Sequence, residues 1–180
     1  MSSHPKYQDV GGRVIQSART FSDFPKAGIA FKDITPVLAD ADLFRDVTEA
    51  LAEGLGDDVR GVVGIEARGF IFAAAVARAR HLPLLLARKP GKLPGPRHRE
   101  QYSLEYGSDA LELHRGLLPE GCSVGIVDDV LATGGTAAAA GRLSELAGYG
   151  VASWAFVLEI GGLGGRAQLN GRRVTVLAQV

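Results

Sequence analysis

Two adjacent carboxylates, Asp128 and Asp129, precede the run Val130-Leu131-Ala132-Thr133-Gly134-Gly135-Thr136. That order of residue types suits a sugar phosphate. Ionised carboxylates only accept hydrogen bonds, so the pair matches the two hydroxyls of a ribose diol. Gly134 and Gly135 carry no Cβ, which lets the chain turn tightly and approach a ligand closely. Free N–H groups at a helix start, together with the helix dipole, bind anions. Thr133 and Thr136 add hydroxyl donors to a phosphate there.

These residues need a strand before them and a helix after them. Val124-Gly125-Ile126-Val127 reads as a buried parallel strand that ends at the acids. Thr136 is the expected N-cap of a helix through Ala137–Ala140, Arg142, Leu143 and Leu146. The same device occurs earlier: an apolar strand over 61–65, the loop Glu66-Ala67-Arg68-Gly69, and a helix from about Phe70 to Arg80. Open parallel sheets bind ligands at the carboxyl ends of their strands, so the two loops can hold two ends of one ligand.

Two further segments carry chemistry. Gly28-Ile29-Ala30-Phe31-Lys32-Asp33-Ile34 is apolar for a loop; it suits either a loop pinned to the core or a purine pocket. In a pocket, Phe31 stacks on the base while the backbone of Ala30 and Lys32 reads its edge. Residues 88–102 hold Arg88, Lys89, Lys92, Arg97 and Arg99, with no acid before Glu100. Pro90, Gly91, Pro94, Gly95 and Pro96 argue against regular structure there. Such a stretch is a solvated basic loop or a lid over a diphosphate leaving group.

The loop Leu131-Ala132-Thr133-Gly134-Gly135-Thr136 resembles the phosphoribosyl-pyrophosphate loop of the type I phosphoribosyltransferases, the adenine-using members in particular. Residues 28–34, 66–69, 88–96 and Tyr102-Ser103-Leu104-Glu105-Tyr106-Gly107 match the same family, so the resemblance spans roughly Phe21 to Leu169. Lys32 stands where many relatives carry Arg. The resemblance implies transfer of a 5-phosphoribosyl group from phosphoribosyl pyrophosphate to adenine, giving AMP and pyrophosphate. Another purine, xanthine or hypoxanthine, is the near alternative; a non-catalytic regulator that kept the fold is the distant one. Implied substrate contacts are Asp128, Asp129 and Ala132 to Thr136 for the sugar phosphate, with Glu66, Ala67, Arg68, Arg88, Lys89 and Lys92 for the pyrophosphate. Glu105 is implied as the proton-exchanging group, beside Arg68, Arg88 and Lys92. The resemblance further implies a cis peptide at Glu66–Ala67, magnesium carried by the substrate, and a homodimer whose lid Arg and Lys reach the neighbouring site.

The expected fold is an α/β domain over 1–180: a doubly wound, mainly parallel sheet, a small N-terminal hood within about 1–35, and a flexible lid with its flank at about 88–107. Other elements read as helices from Val10 to Ala18 and Asp40 to Leu55, and strands over 82–87, 110–114, 151–160 and 174–178. Residues 21–36 read as loop. Gly162-Leu163-Gly164-Gly165-Arg166-Ala167 matches a dinucleotide fingerprint, but no Asp or Glu follows Glu159 to take the ribose, so a tight turn into a short helix is expected.

Lys plus Arg and Asp plus Glu both number 20, which argues against a generally basic nucleic-acid binder. Cys122 is the only cysteine, so no intrachain disulfide can form and a reducing cytoplasm is expected. No apolar run approaches a membrane span and no signal-peptide core is seen. The four histidines are scattered without metal-ligand spacing.

Overall fold

Gly61–Ile65 is buried at every position, which only a sheet covered on both faces allows. The structure, a computed structural model, describes residues 9–24, 26–28, 30–103, 108–169 and 171–180. It opens with helix α1 (Val10–Ser17), strands β1 (Arg19–Phe21) and β2 (Phe31–Asp33), and helices α2 (Thr35–Ala39) and α3 (Ala41–Gly54). Then come β3 (Gly61–Ile65), α4 (Gly69–Arg80), β4 (Leu84–Ala87), β5 (Arg97–Ser103), β6 (Ser108–His114) and β7 (Ser123–Leu131). α5 (Gly135–Leu146), β8 (Gly150–Glu159), a 3-10 turn (Gly165–Leu169) and β9 (Arg173–Gln179) complete the described elements.

The main sheet has the order β4-β3-β7-β8-β9, and every neighbouring pair is parallel. The chain runs one way from β3 to β4 and the other way from β7 through β8 to β9. The winding reverses between β3 and β7, as the doubly wound expectation requires, and a crevice opens there at the strands' carboxyl ends.

Period-2 alternation sends neighbouring residues to opposite faces. Val62, Val127, Ala155 and Val157 meet Val10 and Val14 of α1, Leu43, Val47 and Leu51 of α3, and Phe72 and Val76 of α4. Val63, Ile65, Val124, Ile126 and Phe156 meet Leu143 of α5 and Leu111 and Leu113 of β6. Phe72, Leu51 and Phe156 are fully buried, and each such side chain contributes about 1.5–3 kcal/mol. Asp40 caps α3 by accepting from the Leu43 N–H at 2.9 Å. Gly64 lets α4 lie close on the sheet, since a Cβ there would stand 2.6 Å from Ala73 Cβ.

Four sequence expectations are corrected. Residues 88–102 are not without regular structure: β5 pairs with β6 as an antiparallel hairpin from Arg97↔His114 to Ser103↔Ser108. The hairpin covers one sheet face beside α5 and joins the end of β4 through an Arg88↔Glu112 bridge. Residues 21–36 are not all loop, because β2 pairs with β1 and Pro36 sits in the first turn of α2. Strand β7 does not stop at the acids but runs on to Leu131. Its pairing with β3 ends at Gly64↔Val127, whereas its pairing with β8 reaches Leu131↔Glu159. Asp128 and Asp129 therefore lie in a strand open on one side. Finally, Thr136 is not the N-cap of α5: the helix begins at Gly135 with Gly134 as cap at φ 84°. The turn expected after β8 is present as the 3-10 turn.

Candidate active site

The two strand–loop–helix devices meet at the switch point. Together they line a cavity of about 360 Å³, with Glu66, Ala67 and Arg68 on one wall and the unbroken run 128–137 on the other. Lys89 closes a third side. The Glu66–Ala67 peptide is cis. Ala132, Thr133, Gly134, Gly135 and Thr136, together with Asp128 and Asp129, all line this one cavity.

The loop 132–136 is held from below by the 3-10 turn, a support the sequence reading missed. Gly134 takes a positive φ, and a Cβ there would overlap the Gly165 carbonyl oxygen. A Cβ at Gly165 would in turn overlap the Ala132 carbonyl oxygen. The turn is tied down by Arg166, whose Nε donates to Glu159 Oε2 at 2.8 Å. The glycine-rich spacing of 161–165 is the only sequence signal of this close packing.

The acids are electrostatically distinct. Asp128 is pushed well above the usual carboxylate range, first by burial and then by the neighbouring Asp129 charge; Arg68 pulls it the other way. Asp128 Oδ1 accepts the Asp129 N–H at 2.8 Å. Asp129 is buried and its Oδ2 accepts from Arg68 Nε. Arg68 also lies over the Phe31 ring, 5.4 Å from its centroid, and Phe24 meets Phe31 edge-on at 5.2 Å. Arg68 thus links the acids to the apolar segment. Phe31 neighbours the cavity through Arg68, but Ala30, Phe31 and Lys32 do not line it. The Lys32 side chain points to Thr20, donating to Oγ1 at 2.8 Å.

The basic residues divide. Arg88 does not itself line the cavity but grips its wall residue Glu66 with Nε and Nη2, both at 3.3 Å, while the Lys89 N–H donates to the same carboxylate at 2.7 Å. Burial would raise the Glu66 pKa, but these bonds outweigh it and hold the group below its usual range. Glu66 therefore anchors the chain at Arg88 and Lys89, just after β4. Lys92 does not line the cavity either. The buried Glu112 ties residues 91 and 97 to β6, accepting from Gly91 N and pairing with Arg97 Nε, both at 3.1 Å. Glu105 lies outside the described residues.

A profile of the phosphoribosyl transferase domain matches residues 36–163. The chain belongs to the phosphoribosyl transferase family. An adenine phosphoribosyltransferase from Clostridium perfringens is 51% identical over 160 residues, 88% of this chain and 93% of the relative. One from Renibacterium salmoninarum is 45% identical over 179 residues, 99% of this chain and 98% of the relative. Among solved structures of this family, an adenine phosphoribosyltransferase from Thermoanaerobacter pseudethanolicus superimposes with a TM-score of 0.89 at 43% identity, covering 94% of this chain and 99% of that one. The Saccharomyces cerevisiae enzyme, complexed with an imino-altritol bisphosphate and adenine, gives 0.89 at 35% identity, covering 94% and 99%. In the cavity, the glycine-containing loop and a carboxylate pair share one wall, and a guanidinium lines the other.

Proposed function

We propose that the chain transfers the 5-phosphoribosyl group from phosphoribosyl pyrophosphate to adenine, giving AMP and pyrophosphate, a step of purine salvage. The observation that carries this is the single cavity at the switch point, where Asp128 and Asp129 stand beside the loop 132–136 and face Arg68. The loop 132–136 takes the 5′-phosphate and the two acids take the ribose hydroxyls. Arg68, Arg88, Lys89 and Lys92 neutralise the pyrophosphate, and Glu66 and Ala67 frame that end. The base nitrogen bonds to the anomeric carbon as the carbon–oxygen bond to pyrophosphate breaks. Positive charge grows on the sugar while negative charge leaves with the pyrophosphate, so preorganised dipoles serve better than a covalent nucleophile. Glu105 exchanges a proton with the purine ring as the attacking nitrogen loses its own. Phe31 stacks on the purine, and the backbone of Ala30 and Lys32 reads its edge.

Magnesium enters on the diphosphate as part of the substrate, with ligands mostly from substrate and water. Among the described residues no group of three His, Cys, Asp or Glu gathers to hold a metal. Residues 1–180 act as one transferase domain, with β1 and β2 in the hood and 88–107 as lid and flank. No described helix is long and apolar enough to cross a membrane. A cytoplasmic location fits the lone, half-buried Cys122 thiol.

Turnover of adenine, hypoxanthine, xanthine and guanine with phosphoribosyl pyrophosphate and magnesium tests the reading. Adenine is the preferred base; turnover of none of the four would leave only a regulator. In the lid, Lys92→Ala lowers kcat at least tenfold while the Kd for adenine stays within about twofold, because a leaving-group contact strengthens only as charge develops. Equal losses in both would assign Lys92 to ground-state binding. Arg88→Ala acts in the same direction, with an added loss from freeing Glu66.

A homodimer is part of this reading. Ile71 and Ala74 stand exposed on consecutive turns of α4, an apolar strip that a second copy covers. Sedimentation then gives twice the chain mass, and Ile71→Asp shifts it toward one. A wild-type chain sedimenting as a monomer refutes the dimer.

A further inference from the structure

The lysine that lines the cavity has its ammonium already paired. Lys89 Nζ donates to Tyr102 Oη at 3.0 Å and to Asp109 Oδ2. Neither Tyr102 nor Asp109 lines the cavity. Both come from the β5–β6 hairpin, where they face each other in the ladder as Tyr102↔Asp109. Tyr102 Oη also reaches Asp109 Oδ2 at 3.3 Å and Thr136 Oγ1, in the phosphate loop, at 3.4 Å. The Lys89 backbone is anchored separately, through its N–H to Glu66. The main chain is thus fixed while the ammonium is held by a carboxylate and a phenol that do not themselves line the cavity.

We propose that Asp109 is a positioning residue for Lys89, holding its ammonium off the diphosphate end of the cavity until substrate arrives and taking it back as pyrophosphate leaves. The inference rests on the phosphoribosyl-transfer reading above. The side chains of Lys89 and Asp109 are 36% and 27% exposed, so the pair is partly screened. A diphosphate carries more negative charge than one carboxylate and outcompetes it for the ammonium. Three donors on a flexible stem let Lys89 exchange one partner for another without moving the backbone, which the rigid fork of an arginine would not allow. Tyr102 serves the same holding role and places it beside Thr136, so the exchange is felt at the phosphate loop. Burial works against charge on Lys89 and Asp109 alike, yet their mutual contact keeps the lysine pKa raised and the aspartate pKa lowered. Both stay ionised and ready to separate.

The sign of the effect separates this role from a merely structural one. Asp109→Asn keeps shape but removes the competing charge, so the Kd for magnesium phosphoribosyl pyrophosphate falls about fivefold to tenfold. The KM for adenine is unchanged, and kcat falls because pyrophosphate leaves more slowly. Tyr102→Phe removes one holder and tightens binding by a smaller factor, which keeps the test available if Asp109→Asn does not fold. Lys89→Ala weakens binding, and adding Asp109→Asn to it brings no gain, because the aspartate acts only through the lysine. Calorimetry on the wild type and these four variants, with thermal melts to confirm folding, decides the matter. Wild-type chain that does not bind phosphoribosyl pyrophosphate refutes the transfer reading itself. Wild-type chain that binds, with Asp109→Asn weaker or unchanged, overturns the holding role alone. So does a gain that persists without Lys89.

Discussion

Changing Asp128 and Asp129 together to Asn lowers kcat/KM by about 10²–10⁴-fold while the fold survives. Each carboxylate is a charge-assisted acceptor for a ribose hydroxyl, worth about 1.5–3 kcal/mol, so two give about 3–6 kcal/mol. The single changes move stability in opposite directions. The Asp128 pKa is raised in the folded chain, so its ionised form opposes folding above its unfolded pKa. That penalty disappears as pH falls toward the unfolded value and the group protonates in both states. Asp128→Asn therefore melts higher than wild type at pH 7–8, by about 2–4 °C for each kcal/mol relieved, and the difference closes in acid. Asp129→Asn melts lower, because it takes the ionic partner from Arg68. Steady-state kinetics and melting curves across pH measure all of this. Near-normal turnover in the double variant would remove the pair from the mechanism, and a lower melting temperature for Asp128→Asn at neutral pH would refute the burial penalty.

The second large effect is base choice. Adenine offers an amine donor beside an unprotonated ring nitrogen; hypoxanthine offers an acceptor beside a protonated one. Backbone groups at Ala30 and Lys32 cannot exchange donor for acceptor without moving the chain. Each mismatch leaves a buried polar group unpaired at about 1–3 kcal/mol, so adenine wins by about a hundredfold or more in kcat/KM. Phe31→Ala weakens every purine by up to about tenfold and leaves that ratio nearly unchanged, since stacking does not read the edge. It also raises the KM for phosphoribosyl pyrophosphate, because the ring lies under Arg68. Comparable efficiency with hypoxanthine would sink the adenine assignment. A ratio that collapses in Phe31→Ala would mean that the ring itself sets specificity.

Much of the fold was legible because β3, β7 and β8 are nearly continuous apolar runs and α3 keeps its apolar residues three and four apart. Strand β5 was hidden. Arg97-His98-Arg99-Glu100-Gln101-Tyr102-Ser103 has a single apolar position, and over 97–102 only Tyr102 is buried, which puts the strand at the margin of the core. The prolines ahead of it then made the whole segment read as loop. The phosphate loop and its acids were legible because consecutive residues supply them. The linkage of Lys89, Tyr102, Asp109 and Thr136 was not, because it forms only once the unseen hairpin folds onto the sheet. The roles expected of Arg88 and Glu66 also differ in emphasis: their spacing gave no sign that each would hold the other.

The pairing of Arg68 with Asp129 across the crevice has a consequence for discrimination among ligands. Each group is the other's counterion, so neither is bare in the free chain. A lone inorganic phosphate gives Arg68 a new partner but strands the Asp129 carboxylate in a buried position. A free sugar satisfies the carboxylate and strands the guanidinium. Only a molecule that carries hydroxyl donors and anionic oxygens at the right separation relieves both groups in one event. The crevice thus works as a coincidence detector, turning away the abundant half-ligands of the cell by charging each for the partner it leaves behind.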